Sequence, residues 1–195
     1  ATGDPLRFYF DNESDELFDP IRESHVDLQV YSLTNFALAD LYSVENLQFK
    51  VNIYEEDNLY LTGYIETQKY QEPYEDYPYP VTISITDGLS VLKDTKYQND
   101  GEDYTGRTYE SQMMLDLLGK IEHTSFYEYV NIYDDQMNDG IDDSPYDQTK
   151  IDADCFENYY CYDVLKELLI KYNAVIRQKD GYFHIYILLP ELLHR

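Results

Sequence analysis

The chain has 195 residues, 43% of them hydrophobic, and sets 39 acidic against 14 basic side chains for a net charge of −25. That length and apolar content allow one large domain or two small ones with a real core, while the acidity repels phosphate and argues against sequence-specific DNA or RNA binding. No apolar run approaches the ~20 residues that cross a bilayer as a helix. The start, ATGDPLRFYF, has neither the basic residues nor the apolar run of a signal peptide, and it lacks Met, as a processed chain or a fragment of something longer would.

The first ninety or so residues read as strands. Residues 27–31 alternate polar and apolar, and residues 47–54 do so cleanly, with Leu47, Phe49, Val51 and Ile53 on one face. Glu55, Glu56, Asp57 and Asn58 form a polar turn, and residues 59–66 return as the second strand of a hairpin. Residues 71–80, QEPYEDYPYP, are extended and irregular. Residues 81–86 alternate again and stop at Asp87-Gly88. The middle changes character. Residues 97–109 are polar and contain glycine, so they read as a loop, whereas Met113, Met114, Leu117, Leu118 and Ile121 share one face of a helix over 111–121. A short strand is expected at 130–133, and residues 134–154 are an acidic exposed loop or insertion. Cys161, Val164, Leu165, Leu168, Leu169 and Tyr172 then define an amphipathic helix that Asn173 stops. Two alternating segments, 174–178 and 182–188, flank Lys179-Asp180-Gly181, a strong hairpin signal. The expected fold is α+β, strand-dominated, with two amphipathic helices and a C-terminal helix–hairpin. The expected units are a β-rich 1–95 and an α+β 96–195.

Charge is uneven along the chain. After residue 160 there are only Asp163, Glu167, Asp180 and Glu191 against Lys166, Lys171, Arg177, Lys179 and Arg195, so the acidity belongs to what precedes. The chain holds 23 tyrosines and no tryptophan. Tyrosine suits half-buried strands and interfaces, pairing an apolar ring with a wet hydroxyl.

Catalytic machinery has no positive signal. His25, His123, His184 and His194 occupy neither a GxSxG nor a papain-like setting and read as packing or surface residues, His184 on the outer face of the last hairpin. Cys155 and Cys161 match no disulfide framework, zinc knuckle or CxxC and read as reduced thiols. The stretch DDQMNDGIDD looks like a calcium loop with Gly140 as the turn glycine, Asp135 first and Asp139 fifth. Met137 then takes a ligand position and Tyr146 stands where a bidentate Glu is required. A solvated acidic loop with, at most, a loose Ca²⁺ or Na⁺ site is the expectation. The glycines are isolated and build no phosphate cradle. No catalytic, cofactor-binding or metal-binding residue is assigned, no cofactor is expected, and residues of any binding site stay unassigned.

Three stretches carry a resemblance. Asp19-Pro20-Ile21-Arg22-Glu23-Ser24 precedes residues 27–31. Leu61-Thr62-Gly63-Tyr64 leads through Glu72-Pro73-Tyr74 and Pro78-Tyr79-Pro80 to Val81-Thr82-Ile83-Ser84-Ile85-Thr86-Asp87-Gly88-Leu89. Cys161-Tyr162-Asp163-Val164-Leu165 leads through Asn173-Ala174 to Gln178-Lys179-Asp180-Gly181. In this order they resemble the N-terminal region of large tail proteins from phages and prophages of Bacteroidetes, themselves similar to baseplate hub and tail-associated proteins. The resemblance implies β-barrel-like or sandwich-like hub modules, in a structural virion protein of the tail tip or hub with no enzymatic activity. Its partners would be other tail and baseplate proteins and copies of itself, as a trimer, with no specific nucleic-acid binding and no membrane span. It implies a place in the phage tail after synthesis in the bacterial host cytoplasm. An acidic face lining the tail channel would repel passing DNA. The chain departs from the pattern in being short and in its acidic 134–154 loop. The competing expectation is a carbohydrate- or receptor-binding module of a phage or bacterial surface protein, for which the tyrosines would gather in one concave patch. A tail-tip peptidoglycan hydrolase would need two opposed carboxylates in a cleft.

Overall fold

The structure, a computed structural model, describes residues 5–11, 19–33, 41, 43–69, 75–76, 78–140 and 143–187. Alternating apolar residues in the first part of the chain build one antiparallel sheet from β1 (Leu6–Asp11), β2 (Glu23–Ser32), β3 (Lys50–Glu55), β4 (Asn58–Ile65) and β5 (Tyr79–Thr86), in the order β1-β2-β5-β4-β3. Register places Phe8 beside Val26, Val26 beside Ile85, Ile85 beside Ile65, and Leu61 beside Ile53, all on one face. Val26, Leu61 and Ile85 are buried there. The register slips between Ile53 and Tyr54, so Tyr60 is an extra residue in β4. Such a bulge bends the strand and re-aims a side chain. Gly63 allows close approach to β5, because a Cβ there would stand 2.6 Å from the Thr86 carbonyl oxygen.

A 3₁₀ segment, Leu89–Lys93, leads to β6 (Gln98–Asn99), β7 (Glu102–Asp103), β8 (Arg107–Tyr109) and α1 (Glu110–Gly119). Next come β9 (Phe126–Tyr129), α2 (Pro145–Gln148), β10 (Lys150–Asp152), α3 (Cys161–Lys171), β11 (Ala174–Lys179) and β12 (Tyr182–Ile187). β11, β12 and β9 form a second sheet, with β12 central and β9 parallel to it. The α1 face of Met113, Met114, Leu117 and Leu118, the α3 face of Val164, Leu165, Leu168 and Leu169, and Phe183 and Ile185 of β12 bury into the main core. Each fully buried side chain of this kind contributes about 1.5–3 kcal/mol before entropy is subtracted.

The fold is strand-dominated α+β with two main sheets and no closed barrel among the described strands. Both amphipathic helices and the final helix–hairpin stand where expected, with Asn173 at φ 50 and Asp180 and Gly181 at φ 53 and 77. Three expectations need correction. The strand near residue 130 lies earlier, at Phe126–Tyr129, because Phe126 alternates into the core with Glu128, and Val130 follows the strand. The loop over 97–109 contains the β6–β7 hairpin and β8, and Tyr97 is buried. The acidic stretch over 134–154 is not all exposed: Ser144 caps α2, Pro145 starts it, Tyr146 is fully buried, and β10 pairs with β8. Residues 70–74 and 77, most of the Pro–Tyr stretch, lie outside the described residues, while Tyr79 and Pro80 open β5.

Candidate interaction surfaces

Hydrogen bonds on both flanks of β11 tie the sheets together. The Gln178 side chain accepts from the Thr62 amide at 2.7 Å and donates to the Thr62 carbonyl at 2.8 Å, so a side-chain amide continues the β4 ladder into β11. Residues 20–22 bond to Ile176 on the other flank of β11, the Arg22 amide donating at 3.0 Å and Pro20 O accepting from the Ile176 amide at 2.8 Å.

At this junction lies a buried polar knot. Asp87, at the end of β5, is 0% exposed; its carboxylate accepts from the amides of Ser24 at 2.7 Å and Leu89 at 3.1 Å. Burial pushes its carboxyl up to about 7 against the pull of those bonds. His25 lies 3.6 Å from Glu23 and 4.0 Å from Glu66, and the Glu23 carboxylate holds its imidazole above the ordinary value against burial. Glu23 also pairs with Lys93 at 3.1 Å. Ser24, His25 and Asp87 supply the residue types of a catalytic triad without its geometry. Both Asp87 oxygens bind backbone N–H groups, the His25 nitrogens face Glu23 and Glu66, and the Ser24 hydroxyl has no partner among the described residues.

His123 and His184 are equally structural or superficial. His123 packs edge-on against Phe183 at 4.6 Å, and burial lowers it to about 4, so it is neutral at pH 7. His184 is on the outer face of β12 as expected, and His194 lies outside the described residues. Cys155 is exposed and Cys161 buried, both free; the Cys161 thiol donates to Lys96 O at 3.3 Å, and burial pushes it up to about 11. Tyr146, the residue at the last position of the calcium-loop match, is a core residue whose hydroxyl donates to Leu168 O at 3.3 Å. Among the described residues no three His, Cys, Asp or Glu side chains converge as a metal set would.

Sequence reading also missed the inward-facing carboxylates of the buried Glu110 and the half-buried Glu128. Glu110, 0% exposed, binds Lys171 at 2.6 Å and accepts from the Tyr172 hydroxyl at 2.8 Å. Glu128 projects from β9 toward the core beside Ile185, with one oxygen bound by the Ser144 hydroxyl and the other buried without a partner among the described residues. Burial pushes Glu128 up to about 7, the Ser144 bond opposing and Asp147 and Glu110 adding to the rise. Its position between the outward Tyr127 and Tyr129, two residues after the inward Phe126, was the available signal for inward alternation. Neither Glu110 nor Glu128 lines any of the clefts described below.

Two surfaces gather several exposed aromatics, while Tyr31, Tyr109, Tyr159 and Tyr160 are exposed elsewhere. In the first, the edge strands of the five-stranded sheet approach each other across a groove of about 350 Å³ lined by Leu6 and Phe8 of β1, Ile53, Tyr54 and Glu55 of β3, and Tyr60 at the bulge. Phe8 and Tyr60 meet edge to face at 4.9 Å. A cleft of about 220 Å³ adjoins it, where β1, β2 and Tyr60 meet the turn of the last hairpin. In the second, Tyr127 and Tyr129 of β9 flank His184 of β12, stacked on it at 5.0 and 5.8 Å, and Tyr182 meets Tyr127 edge-on at 5.4 Å. Arg177 of β11 lies over the Tyr186 ring at 5.2 Å. These tyrosines stand along one sheet face and its edge strand. Tyr127 and Tyr129 each turn a ring face to His184, and the rings of Tyr127, Tyr129 and Tyr182 all keep exposed area.

Fold and surfaces together define a strand-dominated α+β domain with aromatic strand edges. No protein-family model matches the chain, and no curated protein does. Solved structures similar to it include a prophage tail protein, gp18, from Listeria monocytogenes EGD-e, with a TM-score of 0.44, 10% identity, and coverage of 93% of this chain and 43% of that one. They also include the 43 kDa tail protein of prophage MuSo2 from Shewanella oneidensis, with a TM-score of 0.48, 14% identity, and coverage of 84% and 46%. The chain spans less than half the length of either.

Proposed function

We propose that the chain is a structural, non-enzymatic component of a bacteriophage tail, at the tail tip or baseplate hub of phages of Bacteroidetes. It works by protein–protein contact with other tail proteins and with copies of itself, as a trimer, in the virion, after synthesis in the host cytoplasm. The observation that carries the assembly reading is the placement of exposed aromatics. Tyr127, Tyr129 and Tyr182 line one sheet face and its edge strand, Tyr127 and Tyr129 each with a ring face against His184 and Tyr182 edge-on to Tyr127. Interfaces favour tyrosine in this role, where ring edges and hydroxyls make the contact. The tail assignment rests on the ordered motifs over residues 19–31, 61–89 and 161–181.

One observation favours a carbohydrate- or receptor-binding module instead: Phe8, Tyr54 and Tyr60 gather in a concave groove. Solution mass measured beside a panel of bacterial surface polysaccharides separates the two. Assembly predicts a defined oligomer and no saturable sugar binding; a monomer that binds a polysaccharide saturably contradicts it.

A further inference from the structure

We propose that the outer face of the β9–β12–β11 sheet is where a second copy of this chain seats one of its acidic surfaces. The inference rests on the assembly reading and adds the surface and the occupant.

The face differs from the rest of the molecule in charge. Outward positions are Tyr127 and Tyr129 on β9, then Tyr182, His184 and Tyr186 on β12, by the register that pairs His184 with Tyr127 and Tyr186 with Tyr129. Arg177 and Lys179 of β11 stand opposite His184 and Tyr182. Glu128, the one acid in these strands, points to the core. The nearest turn acid, Asp180, sits 3.8 Å from Lys179. A chain of net charge −25 thus carries a sheet face with two exposed cations and no carboxylate projecting from its strands. Two copies meeting through acidic surfaces would repel each other. Contact between this face and an acidic surface of the neighbour replaces repulsion with opposite charges.

The face is also prepared for contact. Tyr127, Tyr129 and Tyr182 are 49%, 59% and 43% exposed, so each has ring area left to bury. Their mutual stacking with His184 fixes their rotamers before a partner arrives, which reduces the ordering cost of binding. Among the described strands β9 is the edge of this sheet, the position where a neighbouring strand can pair. A contact of unlike surfaces is heterologous, the kind that repeats head to tail and closes into rings.

Sedimentation equilibrium at one fixed ionic strength tests it on the wild-type chain, on Arg177→Glu/Lys179→Glu, on Tyr127→Glu/Tyr129→Glu, and on Tyr54→Glu in the other aromatic surface. All the changed side chains are exposed, and matching thermal melts check the fold of each variant. The wild type is expected to self-associate, both double variants to weaken association by roughly tenfold or more, and Tyr54→Glu to leave it unchanged. Association unaltered in folded double variants overturns the assigned face while leaving the assembly reading intact. A wild type that stays monomeric overturns the second copy as occupant, and if it also binds a polysaccharide saturably the assembly reading falls with it.

Discussion

Asp87, fully buried, and Glu128, half-buried, each carry a carboxyl raised to about 7 from ordinary values of 3.8 and 4.5. An acid raised in the fold keeps its proton where the unfolded chain has already released its own, so stability falls as pH climbs from near 4 toward 7 and levels above that. Glu128→Gln removes one source of this slope. Denaturant titrations should show it stabilised by about 1–2 kcal/mol at about pH 8, less than the full shift implies because the group is partly solvated, and scarcely changed at about pH 4. An equal gain at both pH values would show that Glu128 is not the ionising group. Asp87→Ala is expected to act in the other direction, costing about 1–3 kcal/mol for each of the Ser24 and Leu89 amides left unpaired. Neither effect was readable from sequence. The dipeptide Asp87-Gly88 announced a turn, but only the packing of β2 beside β5 reveals that Asp87 also binds Ser24.

The elements legible in the sequence were those whose signal is local. Alternation over 81–86, the α3 stripe from Cys161 to Leu169 and the Asp180-Gly181 turn each need only a dozen neighbouring residues to be recognised, and each is present. Elements that depend on distant partners were lost. β8 and β10 are three residues each and exist by pairing with one another from opposite sides of α1 and β9. Ser144-Pro145, an N-cap followed by proline, was a usable mark of α2 that the surrounding acidity masked. β1 alternates Leu6, Phe8 and Phe10 but was read only for its lack of a signal peptide. The aromatic surface on β9 and β12 was legible as tyrosine abundance and as an outward His184, not as a stacked set. The link between the sheets has its own test. Gln178→Ala breaks both bonds to the Thr62 backbone in a buried setting, and a loss of about 2–4 kcal/mol is expected, with hydrogen exchange at the Thr62 amide accelerated more than at Val26. Equal acceleration at both amides would mean that Gln178 supports the whole fold rather than this junction.

Across the whole molecule, excess negative charge and exposed aromatic strands act against each other. Net charge of −25 opposes contact between copies, and exposed aromatic edges favour it. A protein built to stay solitary has little use for tyrosines stacked on an acid-free sheet face, whereas one built to assemble gains a surface selective by charge. The conclusion that the chain works by assembly is therefore tested most directly by its mass in solution, measured by sedimentation equilibrium across a wide concentration range at physiological ionic strength. A closed oligomer of defined size, forming reversibly, is the predicted result. A monomer at every concentration, unchanged in the presence of a surface polysaccharide that it binds saturably, would contradict it.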